Sequence, residues 1–213
     1  MKKIRFKLFT ILTIILFSQN VIAQVIELSP FYGWQMNGRM RFYEGDLETD
    51  DNPLAGATMS IELGSGYGVE LMFSHTKTHS YWYTNSNGYF PGLNFKLTNQ
   101  YYQIGSYKYL DMDQLQPFTV LSLGASRYHP LEISDHSVNI DDVWRFAMTF
   151  GLGIKYFFSD KVGIRLQGAF MMPMYFSGVG FYFGSGGSGL TTYSAVPMLQ
   201  GNFNGGLIFR FGK

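Results

Sequence analysis

From Trp144 to Phe158 every second residue is large and apolar or aromatic. Trp144, Phe146, Met148, Phe150, Leu152, Ile154, Tyr156 and Phe158 share one face, and Arg145, Ala147, Thr149, Gly151, Gly153 and Lys155 share the other. A period of two held over about fifteen residues specifies an extended strand, because successive side chains of a strand point to opposite sides. Strands in soluble sheets typically run only about five or six residues. A strand that crosses a bilayer needs both the length and the continuous lipid-facing stripe. The pattern resumes after Ser159-Asp160-Lys161, with Val162, Ile164, Leu166, Phe170 and Met172 facing out and Gly163, Arg165, Gln167 and Ala169 facing in. Residues 144–174 therefore read as a transmembrane β-hairpin.

The start of the chain places this hairpin in an exported protein. Lys2, Lys3, Arg5 and Lys7 precede the apolar run Leu8 to Phe17, and Val21-Ile22-Ala23 offers a cleavage site, so residues 1–23 read as a secretory signal peptide. An apolar run of about ten residues is too short to span a bilayer as a helix. One domain is then expected over residues 24–213. The chain has no cysteine, which removes both a lipidated cysteine anchor and any disulfide framework. Of sixteen basic and fifteen acidic residues, four bases and no acid lie in the leader, so twelve bases against fifteen acids leave the remainder at −3. No basic patch stands out, and a nucleic-acid partner is not expected. No run of about eighteen apolar residues follows the leader, so no membrane helix is expected. Aromatics at 18% and 25 glycines instead suit barrel strands, where rings mark the membrane interfaces and glycines ease curvature.

Read in order, the chain offers eight strands. The first is Val25 to Met36, with Glu27, Ser29, Gly33 and Gln35 on one face. A polar loop follows, Asn37 to Pro53, with Glu44, Asp46, Glu48, Asp50 and Asp51. Strand two is Leu54 to Gly64 (Ala57, Met59, Ile61 and Leu63 out; Thr58, Ser60 and Glu62 in), and strand three is Gly68 to about His75 (Val69, Leu71 and Phe73 out; Glu70 and Met72 in). A second loop is expected over residues 76–96. Strand four covers Leu97 to Leu110, where Tyr101, Tyr102, Tyr107 and Tyr109 leave the facing undecided, and strand five covers Pro117 to Tyr128. A third loop spans His129 to Asp142, and the hairpin supplies strands six and seven. A fourth loop, Phe176 to about Pro197, carries GSGGSG and is expected to be mobile. Strand eight runs from Leu199 to Phe211. Connections that alternate long and short, around strands with polar inner faces, specify an all-β, eight-stranded antiparallel up-and-down transmembrane barrel with both termini in the periplasm. A soluble barrel of the lipocalin type would turn its apolar face inward instead.

The inward charges carry the next expectation. A three-residue turn places Glu62 opposite Glu70, and the same count sets Lys155 opposite Arg165. Like charges directly opposed destabilise a sheet. Strands two and three lie across an eight-stranded barrel from strands six and seven, so the two acids are expected to meet the two bases across the lumen. Glu27 and Arg210 can join from strands one and eight. The six residues, Glu27, Glu62, Glu70, Lys155, Arg165 and Arg210, are read as a structural charge cluster that closes a lumen already narrow at this strand number. A gate or proton path is the functional alternative for the same residues.

The whole chain after the leader resembles the small outer-membrane β-barrel proteins of the OmpA/OmpX kind, in particular the barrel domain common in Bacteroidota. The likeness rests on NQYYQIGSYKY followed by QPFTVLSLGASRY, and on the terminal NGGLIFRF. In that last stretch Asn204, Gly206, Phe209 and Phe211 are similar to the signal read by the barrel-assembly machinery, although Gly212 and Lys213 follow the final aromatic. The resemblance implies residence in the outer membrane of a Gram-negative bacterium, contact with lipid and lipopolysaccharide, and roles from membrane structure and surface interaction to accessory parts of transport or secretion assemblies. A protein partner would then be met through the long loops.

Catalytic and metal constellations are thin. A serine hydrolase needs nucleophile, base and acid within hydrogen-bond reach. His75, His79, His129 and His136 have Ser80, Ser134 and Ser137 nearby, but none makes the His-x-Ser pair of small lipid A deacylase barrels. Asp46-x-Glu48-x-Asp50 starts like a calcium loop yet has Asp51 and Ala57 where the glycine and the glutamate belong. GSGGSG has no phosphate-loop lysine. No cofactor, metal or catalytic site is expected. The leading expectation is a non-enzymatic barrel acting through its loops; a lipid A modifying hydrolase and a narrow channel are the alternatives.

Overall fold

The computed structural model describes residues 25–41, 45–84, 93–131, 142–184, 187–195 and 199–212. The expected signal peptide lies outside the described residues. The strands are β1 (Ile26–Met36), β2 (Met40–Arg41), β3 (Gly45–Thr49), β4 (Asn52–Gly64), β5 (Tyr67–Thr84), β6 (Leu93–Tyr109), β7 (Leu115–Leu131), β8 (Val143–Phe157), β9 (Val162–Gly184), β10 (Gly187–Ala195) and β11 (Gln200–Phe211). Eight of them, β1, β4, β5, β6, β7, β8, β9 and β11, pair antiparallel in chain order, and β11 returns to β1, so the sheet closes on itself. No described helix is long and apolar enough to cross a membrane.

Side chains alternate across the wall as the period of two requires. Leu28, Met59, Leu71, Phe73, Ile104, Leu121, Leu152, Phe170 and Leu207 are exposed, whereas Ser60, Thr149, Gln167 and Asn202 are buried. A continuous apolar exterior around a polar interior is the inverse of a soluble protein and matches a lipid-facing surface. The tyrosines of β6 resolve on this frame. Tyr101 and Tyr107 are buried inside, and Tyr102 is exposed outside.

Four expectations change. The second loop is largely strand: β5 continues to Thr84 and pairs with β6 as far as Trp82↔Leu93. There Thr76, Thr78 and Ser80 are buried while Lys77 and His79 are exposed. Pairing needs no lipid, so a polar strand can extend the wall beyond the apolar belt. Within the expected fourth loop β9 runs on to Gly184 and pairs with β10 (Gly187–Ala195), whereas residues 185–186 and 196–197 lie outside the described residues. The acidic first loop contains β2 and β3, with β3 paired to β5.

The fourth change is one of register. The β4–β5 turn has two residues, Ser65 (φ 55°) and Gly66 (φ 76°), and a bulge follows from Gly64 (φ 94°). Two positive φ values are the mark of the tight turn that suits strand twist, and a bulge slips the ladder by a residue. Glu70 therefore faces Ser60, and Glu62 faces Gly68, so the two glutamates are not opposed. In the β8–β9 hairpin Lys155 does face Arg165.

Inward rings are accommodated by glycines on the neighbouring strand. Phe31 pairs with Gly56, Tyr107 with Gly68, Phe118 with Gly153 and Phe157 with Gly163. A Cβ on Gly68 would lie 2.4 Å from the Tyr107 ring, and one on Gly153 would lie 2.5 Å from Phe118. Glycine in a strand marks such a close approach. Gly68→Val is expected to lower barrel stability by about 1–3 kcal/mol through overpacking. In combination with Tyr107→Leu part of that loss should disappear, a coupling that a double-mutant cycle in urea unfolding would measure.

Candidate functional site

Six charged side chains enter the lumen at the end that carries the short turns, the start of β1 and the end of β11. Glu27 comes from β1, Glu62 from β4, Glu70 from β5, Lys155 from β8, Arg165 from β9 and Arg210 from β11. Glu27, Glu70, Lys155 and Arg165 are each at most 2% exposed. They fall into two groups. Lys155 Nζ lies 2.5 Å from Glu27 Oε2, and Arg210 Nη2 bridges Glu27 Oε1 at 2.8 Å and Glu62 Oε1 at 3.2 Å. Across the lumen Arg165 meets Glu70 with two nitrogens, Nη1 at 2.5 Å from Oε2 and Nη2 at 3.1 Å from Oε1. The expected pairing of Glu62 with the hairpin's cations does not form; Glu62 meets Arg210 across β1, where Glu27 is registered with Arg210 on one side and with Ser60 on the other.

Neutral partners fill much of the remaining hydrogen-bonding capacity. Arg165 Nη1 donates to Thr58 Oγ1 at 3.1 Å, and its Nε and Nη2 donate to Gln167 Oε1. Ser60 Oγ donates to Glu70 Oε2 at 3.3 Å, and the Tyr109 hydroxyl donates to Glu62 Oε2 at 3.3 Å. Each cation also lies over a ring that rests on a glycine: Lys155 is 4.5 Å from the Tyr107 centroid, Arg165 4.5 Å from Phe118 and Arg210 3.8 Å from Phe157. The ring's negative face adds to the attraction of the carboxylates. These aromatic supports were not singled out in the sequence. Their signal was present in the inward parity of Phe118 and Phe157 opposite glycines.

Above the charged layer the lumen is packed. Phe31, Leu54, Met72, Tyr101, Ala147 and Met171 form a buried cluster. Around it Thr149 Oγ1 donates to Gln103 Oε1 at 2.7 Å, Asn204 Nδ2 donates to Asn202 Oδ1 at 2.8 Å, and the Tyr101 hydroxyl donates to Gln200.

The C-terminal residues divide between the two faces. Asn204 and Gly206 turn inward, and Phe209 and Phe211 are exposed on the outer wall. Gly206 sits on the closing seam opposite Phe31, where an added Cβ would meet Pro30 O at 2.1 Å.

The histidines do not assemble a hydrolase among the described residues. His79 is exposed outside while the adjacent Ser80 is buried inside, so the strand separates them. His75 Nδ1 contacts Gln100 Nε2. His136, Ser134 and Ser137 lie outside the described residues. No group of three metal-ligating side chains occurs among the described residues. Asp50 and Asp51 serve the loop instead, with Asp51 Oδ1 accepting from the Asn37 backbone N–H at 2.7 Å and the Asp50 carbonyl accepting from Thr78 Oγ1 at 2.6 Å.

At the far end of β7, Asp142 pairs with His129 and with Arg127, the latter at 2.5 Å. The His129 hydrogen bond, then the Arg127 hydrogen bond, holds the exposed Asp142 carboxyl below its ordinary range. A lowered folded value means that the clasp contributes fully above the ordinary carboxylate value and is lost as pH falls through the lowered one. Amide protection at Tyr128 and Val143, which pair beside it, should therefore hold at neutral pH and fall in strong acid. Asp142→Asn should reduce protection at neutral pH and remove that acid step.

No family model and no curated protein matches the chain. Among solved structures it is similar to the outer membrane protein OprG from Pseudomonas aeruginosa, with a TM-score of 0.62 at 10% identity over 90% of this chain and 97% of that one. It is also similar to the Neisserial surface protein A, with a TM-score of 0.51 at 10% identity over 88% and 97% of the two chains. The closed wall, the apolar exterior and these likenesses agree: the chain has the fold of the small eight-stranded outer-membrane β-barrels.

Proposed function

We propose that the protein is an integral outer-membrane barrel whose lumen is closed and which acts through its outer wall and its long-connection end, in membrane structure, surface interaction or as an accessory of a transport or secretion assembly. It is neither an enzyme nor a channel. The observation that carries this reading is the charged layer: Glu27, Glu70, Lys155 and Arg165 are buried and mutually paired across the lumen. Ions entering that layer would have to displace charge-assisted hydrogen bonds in a space with little water. The start of β1, the end of β11 and the short turns of the described residues lie at one end, which supports a periplasmic position for that end and an extracellular one for β2, β3 and β10. The placement of Asn204, Gly206, Phe209 and Phe211 on the last strand supports a role in assembly, and the stretches 99–109 and 116–128 carry the resemblance to Bacteroidota-type barrels.

The purified protein in planar bilayers is expected to give no discrete conductance steps. Reproducible unitary steps would overturn the closed lumen. A deletion strain is expected to keep the lipid A mass of its parent, and a mass change would return the hydrolase reading.

A further inference from the structure

At the long-connection end one piece of the wall stands apart from the rest. The last rung between β8 and β9 is Phe146–Met174, and the last between β11 and β9 is Gln200–Met171. Beyond them β9 continues to Gly184 with β10 as its sole partner among the described residues, from Ala195 opposite Tyr175 to Gly187 opposite Gly184. The two strands make a ribbon that extends about 30 Å past the last β8 rung. Among the described residues no strand covers the far edge of β10 or the far edge of β9 above Met174.

Open sheet edges are usually blunted by charges, proline or bulges, because their free N–H and C=O groups accept any strand that reaches them. This ribbon lacks the first two. No Asp, Glu, Lys, Arg or His stands between Arg165 and Arg210, and no proline between Pro173 and Pro197. The register shift lies at the base, between Tyr193 and Ser194, and the rungs from Gly178–Tyr193 to Gly184–Gly187 are regular. The other extension of the wall is built differently: β5 and β6 are flanked by β3 and β7, and these strands carry Asp46, Glu48, Lys77 and Lys96. A ribbon of two strands is marginal in water, and a further strand on either edge stabilises it.

We propose that these ribbons pair with one another, β9 of one copy against β10 of the next, and so join copies of the chain into a ring at the membrane surface. Strand direction decides the arrangement. In one membrane every copy stands the same way up, so each β9 runs outward and each β10 runs back. A two-fold axis along the membrane normal would bring like strands together pointing the same way. Pairing β9 with β10 instead continues the antiparallel order of the ribbon itself, and backbone hydrogen bonds supply the contact as in other strand additions. A second copy fits these edges because one chain supplies both of them, and neither strand carries a charge that would repel its neighbour. Such a head-to-tail contact closes as a ring of three or more copies. The inference rests on the reading of the chain as an outer-membrane barrel with that end outward.

The test uses the whole chain without its leader, folded in detergent and then inserted into lipid vesicles, its folding followed by heat-dependent gel migration. Copy number is read by native mass spectrometry directly from the vesicles. Species of three or more copies are expected, with slow amide exchange over residues 178–184 and 187–193. A chain in which a short glycine-serine turn replaces residues 178–193 should keep the parent's heat-dependent migration and remain a single copy. Thr191→Lys combined with Thr192→Lys, which sets a charge on each face of β10, should also lose the assembly while the barrel stays folded. Single copies of the parent at every protein-to-lipid ratio, or pairs as its largest species, overturn the ring. Assembly that survives removal of the ribbon, or survives both lysines, overturns the ribbon as the contact. A folded chain that fails to insert into vesicles would sink the membrane reading itself, whereas an inserted barrel that stays single sinks only the ring.

Discussion

Arg165→Met is expected to cost the folded barrel about 3–5 kcal/mol, because it strands a buried carboxylate. Glu70 is 2% exposed, and without Arg165 the contact it keeps is the Ser60 hydroxyl at 3.3 Å. The guanidinium also orders Thr58 and Gln167, which lose their donor at the same time. Glu70→Met alone should be nearly as harmful, since it leaves the cation buried and unpaired. The double replacement by methionines should recover most of the loss, because exchanging a whole buried ion pair for apolar groups is often close to neutral. Urea unfolding of the four proteins in lipid bilayers, read by tryptophan fluorescence, supplies the cycle. A loss below about 1 kcal/mol for the single variant would match a solvated ion pair. It would mean that water reaches the layer, and the closed lumen would go with it.

Gly206→Val should prevent the barrel from closing, whether or not an assembly machine is present. The closing seam brings β11 against β1 so tightly that a Cβ at Gly206 would meet Pro30 O at 2.1 Å and Phe31 Cα at 2.9 Å. On the facing strand Gly33 is equally constrained, with Phe203 O at 2.0 Å. The obstacle in each case is backbone, which cannot rotate away as a side chain can, so the cost is at least the roughly 1–3 kcal/mol of an overpacked core. The experiment separates two roles for one residue. If Gly206 matters for closure, the variant fails to refold into detergent or lipid on its own. If it matters only as part of a recognition signal, the purified variant refolds like the parent and fails only in cells. Phe209→Ala, on the exposed outer wall, should show the second behaviour.

Side-chain parity alone determined most of this architecture. Trp144 to Phe158 and its successor alternate so regularly that lipid-facing and lumen-facing residues are told apart without coordinates, and Glu27, Glu62, Glu70, Lys155, Arg165 and Arg210 all point into the lumen as their parity requires. Parity is local, since it follows from the pleat of a single strand. It could not reach the polar extensions of β5, β6 and β9, because Thr76 to Thr84 carries no apolar stripe and its strand character comes from pairing with β6. Nor could it choose partners among the charges. That choice depended on two left-handed turn residues, Ser65 and Gly66, and on the bulge at Gly64, which moved Glu70 opposite Ser60. It depended also on the stagger with which eight tilted strands close, which set Lys155 beside Glu27 and left Glu62 to Arg210. The sorting of residues into inside and outside was therefore written along the chain, whereas the pairing inside was decided by barrel closure, a property of all eight strands together.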